Sequence, residues 1–426
     1  MTRSRRGVLL RLARRNVVRQ WRRSLLTGMA MMLGVVALVM ARTIGDGAHE
    51  DWIDSGVRMG TGHVTLQHPQ FRFSRKLDHR LPAAARARIA AALEAPEVAS
   101  LVAQVTPRLE MMGLANSPTA AVPVNIIGVE SEGEARFSQL GVEQRRVGGR
   151  YLEPGDRLHA YVGERLAQRL DLGLGSRLVL TAQDASGEIA GQLVRVVGIY
   201  RTGVPEVDEA VVHIPLATAQ EWLGVEDDVT TVAVLLTSAW GVPRALRRLR
   251  ARIGEEGDGI AVLGWRQAMP ELDAAIKLDD FWGYVFNVVL FVIVALAIVN
   301  TILMSVLYRT REFGVLRALG LTKRETATVV FTEGMILTAV AGMVGVVLGF
   351  AVTWLLWHDG LDYSGALEGE LTFSGVVLDT VVVPVFRRVQ VVMSLGSIVI
   401  VGLLASLYPA YRATRIDVAE AMKFEA

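Results

Sequence analysis

The chain has 426 residues, of which 51% are apolar and 21% are charged, and its mean hydropathy is +0.36. This apolar content is atypical of a soluble protein, and the charged content excludes a chain that lies wholly within a bilayer. The net charge is only +2, and the basic residues cluster at the ends of apolar runs. That pattern favours anionic lipid headgroups over nucleic acid as a partner. Without cysteine, the chain has no disulfide, no thiol nucleophile and no cysteine-ligated metal site.

A first membrane-spanning helix is predicted at residues 24–44. The apolar run from Leu25 to Ile44 is about 20 residues long, which is the length that a helix needs to cross the hydrocarbon core. Residues 1–23 carry nine arginines and no acid, and they are predicted to form a basic cytoplasmic helix. A signal peptide is the competing interpretation, but the run is long for such a peptide and no clear small-x-small cleavage site follows it.

Residues 45–281 contain no apolar run that could span a bilayer, so they are predicted to form one soluble α+β domain. A helix is predicted across Pro82–Leu93. Alternating or β-branched segments predict strands at His63–Gln67, Val102–Leu109, Val122–Val129, Leu178–Gln183, Gln192–Tyr200, Glu209–Pro215 and Val229–Thr237. The last strand and a helix at Pro243–Ile253 form a βα pair that rejoins the early part of the domain. This order indicates one subdomain inserted into another.

Three further membrane-spanning helices are predicted at residues 282–307, 331–357 and 391–411. Four spans place both ends of the chain on the same side of the membrane. Short loops that are rich in Lys and Arg stay in the cytoplasm, and this rule fixes the orientation. The segments predicted to be cytoplasmic are residues 1–23, 308–330 and 412–426. The domain at 45–281 and the loop at 358–390 are therefore predicted to lie outside.

The loop between the second and third spans is a short basic amphipathic segment, RTREFGVLRALGLTKRE (Arg309–Glu325). At helical spacing, one apolar strip is formed by Phe313, Leu316, Leu319 and Gly320. The polar residues are Arg311, Glu312, Arg317, Lys323 and Arg324. Such a helix can lie along a membrane surface and offer a face to a partner. Binding to lipid alone is the alternative.

Small residues recur every four positions in the third span, at Ala341, Gly345 and Gly349. This spacing lets two helices approach closely, so it predicts a helix–helix interface, including one with a partner subunit. A neighbouring stripe consists of Gly334, Thr338 and Gly342. The frequency of glycine in membrane helices in general is the alternative explanation.

No catalytic constellation and no metal site are predicted. The chain contains no GxxxxGK[ST] phosphate-binding loop, no GxSxG nucleophile elbow and no HExxH zinc helix. The seven histidines are scattered, and His63 and His68 do not converge on one helix or strand face. Glu333 is predicted to snorkel to the interface at the cytoplasmic end of the third span. Because the spans hold no acid at depth, an ion-coupled carrier is poorly supported.

The order of one span, a large outer domain and three further spans resembles the FtsX-like, MacB-type permeases of ABC transporters. Two segments carry the resemblance most specifically. REFGVLRALGLTKRE (Arg311–Glu325) is similar to the family's cytoplasmic coupling segment, and Leu407–Glu425 is similar to its terminal signature. Leu12–Thr27 resembles the family's basic N-terminal helix, and Tyr151–Leu180 resembles the β-rich part of its outer domain.

The resemblance implies a four-helix α-helical membrane domain in the bacterial inner membrane, with a MacB-type α+β periplasmic domain inserted between helices 1 and 2. It implies a permease that is not an enzyme and binds no cofactor itself. ATP and Mg would be bound by two copies of a separate ATPase, and a second permease, identical or paralogous, would complete the assembly. ATP-driven closure would move the coupling helix, and the spans would carry this motion to the periplasmic domain. The resemblance assigns ATPase coupling to Arg311, Glu312, Phe313, Gly314, Leu316, Arg317, Leu319 and Gly320.

Two outer segments, Gly45–Pro69 and Gly360–Gly365, look most similar to the lipoprotein-releasing, LolC/LolE-like branch. That branch implies release of lipoprotein cargo from the inner membrane and handover to a periplasmic chaperone. Two alternatives stay open. A MacB-like tripartite efflux permease usually has a fused ATPase, which this chain lacks. An FtsX-like regulator of a cell-wall hydrolase typically has a much smaller outer domain.

Overall fold

The computed structural model describes residues 15, 21–118, 120–254, 259–362, 372–373, 376–377 and 381–415. Most of the predicted N-terminal helix, the middle of the loop at 358–390 and residues 416–426 of the predicted tail lie outside the described residues. The chain divides into two compact units. The membrane unit contains the chain up to Ala48, Leu278–Leu361 and the chain from Val381. The outer unit is formed mainly by His49–Lys277.

The helices are numbered here in chain order. In the described part of the chain they are α1 (Trp21–Met59), α2 (Phe71–Ser74), α3 (Ala83–Glu94), α4 (Pro96–Ala99), α5 (Ser131–Phe137), α6 (Glu164–Arg169), α7 (Pro205–Ala210), α8 (Leu216–Leu223), α9 (Val242–Ile253), α10 (Trp265–Ala268), α11 (Pro270–Tyr308), α12 (Thr310–Ala318), α13 (Lys323–Trp357) and α14 (Arg388–Thr414). Four of them, α1, α11, α13 and α14, are long and apolar enough to cross a membrane. The prediction of four spans is confirmed.

Two of these helices extend beyond the apolar runs that predicted them. Helix α1 continues past residue 44 to Met59, and an ion pair between Arg58 and Asp54, one turn apart, supports its last turns (2.8 Å). Helix α11 begins at Pro270, well before residue 282, with acidic residues in its first turn. Proline and acids both favour the start of a helix. Both extensions are polar, so hydrophobicity alone did not reveal them.

The four long helices pack around a shared apolar centre in the membrane unit. Buried residues from each helix meet there, namely Met31, Ile298, Ile302, Val330, Ala341, Ala405 and Ala410. A second cluster joins Val35 and Val39 of α1 to Val346 of α13 and Ile398 of α14. The side chains between the helices are therefore apolar and closely packed, as in a helix bundle.

The strands of the outer unit form one sheet. Its members are β1 (Val64–Gln67), β2 (Val102–Asn116), β3 (Ala121–Val129), β4 (Arg146–Gly149), β5 (His159–Gly163), β6 (Arg177–Gln183), β7 (Ile189–Tyr200), β8 (Val211–Pro215), β9 (Thr231–Leu236) and β10 (Ala261–Gly264). The order is β10-β1-β9-β2-β3-β8-β5-β7-β4, and β6 pairs with both β2 and β7. Short pairs β11 (Leu361–Asp362) with β14 (Val381–Val382), and β12 (Thr372–Phe373) with β13 (Val376–Val377), complete the described strands.

The pairing of β9 confirms the predicted insertion of one subdomain into another. β9 follows the inserted strands in the chain, yet it lies between β1 and the first half of β2. Helix α9 then packs beside α3, where Arg88 Nη2 donates to the carbonyl oxygen of Ile253 (2.8 Å). The inserted strands close on themselves, because β2, β3, β8, β5, β7 and β6 pair in a ring. Such closure leaves few exposed strand edges.

Every predicted strand is present, whereas β4, β5 and β10 were not predicted. These three strands have only four or five residues each. Each of them contains one β-branched residue and ends in glycine, whereas β1 and β8, which are as short and were predicted, contain two or more β-branched residues. The short helices α5, α6 and α8 were not predicted either, because they cover too few turns to show a helical period. The tertiary pairing, and not the local pattern, selects these elements.

Candidate functional site

The segment between α11 and α13 folds as the short helix α12 and a tight turn. Gly320 has φ +102°, a conformation that glycine adopts without a penalty from a Cβ atom. The N–H of Leu321 donates to the carbonyl of Leu316, and the N–H of Gly320 donates to the carbonyl of Arg317 (both 3.0 Å). These bonds form a Schellman motif, which ends a helix. Gly320 therefore terminates α12, and its predicted place in the apolar strip is wrong.

Helix α13 begins two residues later with a capping box. Thr322 Oγ1 accepts a hydrogen bond from the backbone N–H of Glu325 (3.3 Å), and Glu325 Oε2 accepts one from the N–H of Thr322 (2.9 Å). The reciprocal bonds satisfy two N–H groups that a helix start leaves free. The turn between α12 and α13 is therefore fixed by local bonds at both ends. The T-x-x-E spacing from Thr322 to Glu325 is the sequence signal for this cap.

A buried arginine joins three helices at this turn. Arg309 Nε donates to Glu312 Oε2 in α12 (2.9 Å), and its Nη1 donates to Glu333 Oε2 in α13 (3.1 Å). The guanidinium carbon lies 5.1 Å from the centre of the Phe313 ring. Glu333 thus forms an ion pair with Arg309, and the predicted snorkelling is wrong. The carboxylate of Glu312 faces Arg309, so it stabilises the helical hairpin that α12 forms with the start of α13.

The predicted apolar strip is not a continuous surface. Phe313 is only 1% exposed and packs in the central apolar cluster of the membrane unit, beside a buried Gly314. Leu316 is partly buried against the same cluster. Leu319 alone among the three large apolar residues of the strip is highly exposed, at 80%. The helix turns its Phe313 side inward because that side closes the bundle.

A different face of α12 is exposed. Its residues follow helical spacing from Arg311 through Val315 to Ala318 and Leu319. Lys323 and Arg324 at the start of α13 are exposed as well. An apolar strip flanked by basic side chains is thus present on this hairpin, rotated away from the face that the sequence predicted. Arg317 is half-buried and lies between the two faces.

The stripe of small residues in the third span packs against the first span of the same chain. A Cβ atom on Gly345 would lie 2.7 Å from Val35 Cβ, and one on Gly349 would lie 2.7 Å from Val39 Cβ. Real Cβ atoms do not approach so closely, so both positions require glycine. Ala341 lies on the same stripe and is buried. This interface is therefore within one chain.

The neighbouring stripe of α13 packs against the fourth span. A Cβ atom on Gly342 would lie 2.5 Å from Ile398 Cγ2, and one on Gly334 would lie 2.5 Å from Ser406 Oγ. On the facing helix, a Cβ atom on Gly402 would lie 2.6 Å from Thr338 Cγ2. Helix α13 is thus packed on two sides by α1 and α14. It is the central helix of the bundle.

The outer unit holds a second buried arginine. Arg108 of β2 donates to Glu134 of α5 through Nη2 to Oε1 (2.6 Å) and through Nε to Oε2 (2.9 Å). Glu134 Oε2 also accepts from Thr106 Oγ1 (2.9 Å), and Arg108 Nη1 donates to the carbonyl oxygen of Gly60. The guanidinium carbon lies 4.8 Å from the centre of the Phe137 ring. Burial by itself would raise the pKa of Glu134, but the charge and hydrogen bonds of Arg108 hold that pKa below its ordinary value.

A buried histidine lies beside this pair. Tyr151 Oη and His213 Nδ1 are 3.0 Å apart, and both residues are buried. Burial lowers the pKa of His213 from 6.5 to about 4, although the charge of Glu134 opposes the shift. Burial also raises the pKa of the Tyr151 hydroxyl well above its ordinary value. Both groups are therefore neutral at neutral pH, next to an ion pair.

The inserted subdomain exposes apolar side chains on one side of its sheet. The cross-strand partners Val179 and Leu193 are both exposed, and Met112 and Leu114 of the adjoining strand β2 are exposed as well. Ile189 at the start of β7 is 81% exposed. Neighbouring apolar residues on an exposed sheet face are typical of a surface that binds another molecule.

The histidines of the described residues do not form a metal site. Within that part of the chain, no group of three or more His, Cys, Asp or Glu side chains could hold a metal ion. His63 is buried, and its Nδ1 accepts from the N–H of Leu236 (3.2 Å). His68 stacks on His79 with ring centres 4.9 Å apart.

Two family models match the chain. The MacB-like periplasmic core domain matches residues 24–252, which is more than half of the chain, and the FtsX-like permease C-terminal model matches residues 284–418. The chain belongs to the FtsX-like, MacB-type permease family. It is thus a membrane protein and an ABC transporter permease, and its MacB-like domain lies between the first and second membrane helices. The predicted family and fold class are confirmed.

The similar curated proteins share low sequence identity with this permease. A lipoprotein-releasing system transmembrane protein LolC from Xylella fastidiosa is 23% identical over 365 residues, which is 79% of this chain and 80% of that protein. LolE from Haemophilus influenzae is 23% identical over 75% of this chain and 76% of its own length. A macrolide export ATP-binding/permease protein MacB from Bdellovibrio bacteriovorus is 22% identical over 54% of this chain and 34% of its length.

Solved structures of outer domains are also similar to this chain. The extracellular domain of the transporter YknZ, from Gram-positive bacteria, matches 47% of this chain at 17% identity with a TM-score of 0.33. The periplasmic region of MacB from Actinobacillus actinomycetemcomitans matches 53% at 12% identity with a TM-score of 0.35.

Proposed function

We propose that this permease transmits the motion of a separate ATPase to its outer unit and thereby releases lipoproteins from the bacterial inner membrane. The observation that carries the proposal is the length of the match to the lipoprotein-releasing relatives. The LolC of Xylella fastidiosa and the LolE of Haemophilus influenzae align with 79% and 75% of this chain, whereas the MacB of Bdellovibrio bacteriovorus aligns with 54%. The exposed apolar sheet face around Val179 and Leu193 adds support, because a protein that handles acylated cargo needs an apolar surface.

The packing of the membrane unit supports mechanical transmission over conduction. The space between the four helices is lined by apolar side chains such as Met31, Val35, Leu290 and Ile298, which offer no path to an ion or a polar solute. Helices α1 and α11 each contain residues of both units. A displacement of α12 would act on α13 through the bond from Arg309 to Glu333. It would act on α11 and α13 together through Phe313, which packs in the apolar cluster that these two helices share.

The exposed strip of α12 is the proposed contact with the ATPase. Val315, Ala318 and Leu319 would enter an apolar groove on that subunit, and Arg311 would pair with acids at its edge. The inward residues Phe313 and Leu316 would act indirectly, by holding the helix on the bundle. Two ATPase copies, a second permease and a periplasmic chaperone complete the proposed assembly.

Substitution of Leu319 tests the docking. Leu319→Asp adds a charge to a side chain that is 80% exposed, so the fold of the permease should survive and co-purification of the ATPase should fall about tenfold or more. Phe73→Asp is the matched control, because Phe73 is 83% exposed and lies in the outer unit. ATPase recovery with Leu319→Asp equal to that of the control would mean that this strip is not the contact.

Depletion of the permease tests the cargo. Lipoproteins destined for transfer should accumulate in the inner membrane, and fractionation followed by mass spectrometry would show this accumulation. Re-expression of the unaltered chain should restore sorting, whereas the Leu319→Asp variant should not. Normal lipoprotein sorting in depleted cells would reject lipoprotein release.

The match to the MacB-like periplasmic core favours a tripartite efflux permease as the second candidate. In that case depletion should leave lipoproteins correctly sorted and should increase sensitivity to macrolide-like compounds. The two candidates thus give opposite results in one pair of measurements.

A further inference from the structure

A short segment joins three helices at the outer end of the membrane unit. Residues 381–387, here called the strap, contain β14 and lead directly into α14. At its start, β14 pairs with β11, which follows the end of α13 by a few residues. The strap is therefore connected to α13 by strand pairing and to α14 by the chain itself.

Two hydrogen bonds fasten the strap and the first turn of α14 to α1. The backbone N–H of Val385 donates to the carbonyl oxygen of Thr43 (3.1 Å), and Thr43 is only 1% exposed. Gln390 Nε2 donates to Asp46 Oδ2 (2.6 Å), and Gln390 is 3% exposed. Separating groups that are shielded from water leaves them without partners, so these bonds resist opening.

A glycine of α1 allows the strap to approach this closely. Gly47 lies inside a helix, where glycine is less favourable than alanine. A Cβ atom on Gly47 would overlap the carbonyl oxygen of Val383 in the strap. At Gly45, two residues earlier, no described atom of another segment lies within 4 Å of the corresponding position. The strap therefore requires glycine at position 47 and does not require it at position 45.

These contacts lie at the point where α1 leaves the membrane unit. The boundary between the two units falls between Ala48 and His49, directly after Asp46 and Gly47. Helix α1 crosses this boundary without interruption and ends at Met59. The contacts at residues 43–47 therefore hold the base of the part of α1 that belongs to the outer unit.

We propose that Asp46, Gly47 and Gln390 are positioning residues that make the outer end of α1 move as one body with α13 and α14. This inference rests on the proposed function, in which the membrane unit passes motion to the outer unit. Deeper in the bundle, α1 packs on α13 and α14 through apolar side chains such as Val39. Apolar contacts have no preferred direction, so packed helices can slide along them, whereas the hydrogen bonds of the strap fix one register.

The distance between α1 and α14 tests the inference in the full chain. Because the chain has no cysteine, Ala41→Cys and Val392→Cys place spin labels on two exposed positions only. Pulsed electron–electron resonance in detergent should give one narrow distance distribution. Gly47→Ala should widen it about twofold or more, because the added methyl group displaces the strap, although alanine favours the helix itself. Gly45→Ala is the matched control and should leave the width unchanged. Equal widths for the two variants would overturn the inference.

Substitution of Asp46 separates positioning from simple capping of α14. Asp46→Asn keeps an oxygen that accepts from Gln390 and should keep the narrow distribution, whereas Asp46→Ala should widen it. If Gln390 only caps α14, the two variants should not differ, because its bond to the N–H of Arg387 (2.8 Å) is intact in both. Asp54→Ala is the control, since the partner of Asp54 is Arg58 on the same helix. A distribution for Asp46→Ala as narrow as that for Asp46→Asn would overturn the roles of Asp46 and Gln390.

The assembly with its ATPase separates this inference from the proposed function. Labels at Val392 and at Ile189, which is 81% exposed in the outer unit, report motion between the units. ATP should shift this distance in the unaltered assembly and in Gly45→Ala, and Gly47→Ala should reduce the shift about twofold or more at an unchanged rate of ATP hydrolysis. A full shift in Gly47→Ala would overturn the positioning role. No shift in the unaltered assembly would reject the proposed transmission, while the widths between α1 and α14 would still decide whether the strap holds α1.

Discussion

Each unit of this permease contains a buried arginine that lies over a phenylalanine ring and pairs with glutamate. In the outer unit, Arg108 makes two hydrogen bonds to the single carboxylate of Glu134, which is itself fully buried. In the membrane unit, Arg309 donates to two carboxylates, once to Glu312 and twice to Glu333, whose side chains are 41% and 15% exposed. The residue types are the same, but the geometry differs.

The two clusters differ in how firmly they hold the elements that they connect. The Arg108 pair connects β2 to α5 within one packed core, so it fixes a single arrangement. The Arg309 pairs connect the end of α11, α12 and α13, and both of their carboxylates are partly exposed. Such bonds can be exchanged for water at lower cost than the buried pair. If α12 moves with an ATPase, as we propose, partly exposed pairs of this kind would let it move at a lower cost than a buried pair would.

The largest effect is expected from Glu134→Gln. Removing one charge of a buried pair leaves Arg108 uncompensated, so the free energy of unfolding should fall by about 3–5 kcal/mol. Denaturant unfolding of the full chain in detergent, followed by tryptophan fluorescence, measures the change. The control is Glu132→Gln, whose exposed pair with Arg136 should contribute less than about 1 kcal/mol. Equal stability of the two variants would mean that the Arg108–Glu134 pair does not hold β2 and α5 in one arrangement.

The second prediction concerns pH, because the outer cluster contains His213. Its pKa is about 4 in the folded chain and near 6.5 when unfolded, so the unfolded chain binds more protons between these values. Stability should therefore fall as the pH decreases from 6.5 to 4, by on the order of 3 kcal/mol. His213→Gln keeps a hydrogen-bond partner for Tyr151 and should reduce the dependence of the unfolding free energy on pH between 6.5 and 4. An unchanged slope in the variant would assign the pH dependence to other groups.

The smallest effect is expected for the pairs that Arg309 forms with Glu333 and Glu312. A double-mutant cycle with Arg309→Gln and Glu333→Gln should give a coupling energy of about 1–2 kcal/mol, below that of the outer pair. The same cycle with Glu312, which is more exposed, should give about 0.5 kcal/mol or less. Unfolding in detergent provides all the values. A Glu333 coupling as large as the loss in Glu134→Gln would make the hairpin as rigid as the outer core.

The sequence predicted the four spans and the helix at Pro82–Leu93 because their patterns repeat over many residues. It predicted seven strands from their alternating or β-branched residues, even where the strand is short. The polar extensions of α1 and α11 were missed, since they have helix-compatible residues but no apolar signature. Strands β4, β5 and β10 were missed because they are held by pairing partners distant in sequence.

At the candidate site the apolar strip that the sequence predicted is not the face of α12 that the structure exposes. Phe313, Leu316 and Leu319 share an apolar stripe, and periodicity does not say whether a stripe meets a partner or the chain's own core. The stripe of Ala341, Gly345 and Gly349 shows the same limit. Its spacing predicted close helix contact, and only the structure identified α1 as the neighbour.

By itself the sequence determined the membrane architecture, the α+β outer domain, the family and the position of the basic hairpin, because these depend on patterns along one segment. The tertiary structure decided which side of α12 is exposed, that α13 packs between α1 and α14, and how Arg108 and Arg309 are paired. Those features join residues that are far apart in the chain. Their geometry depends on packing, and a one-dimensional pattern does not contain it.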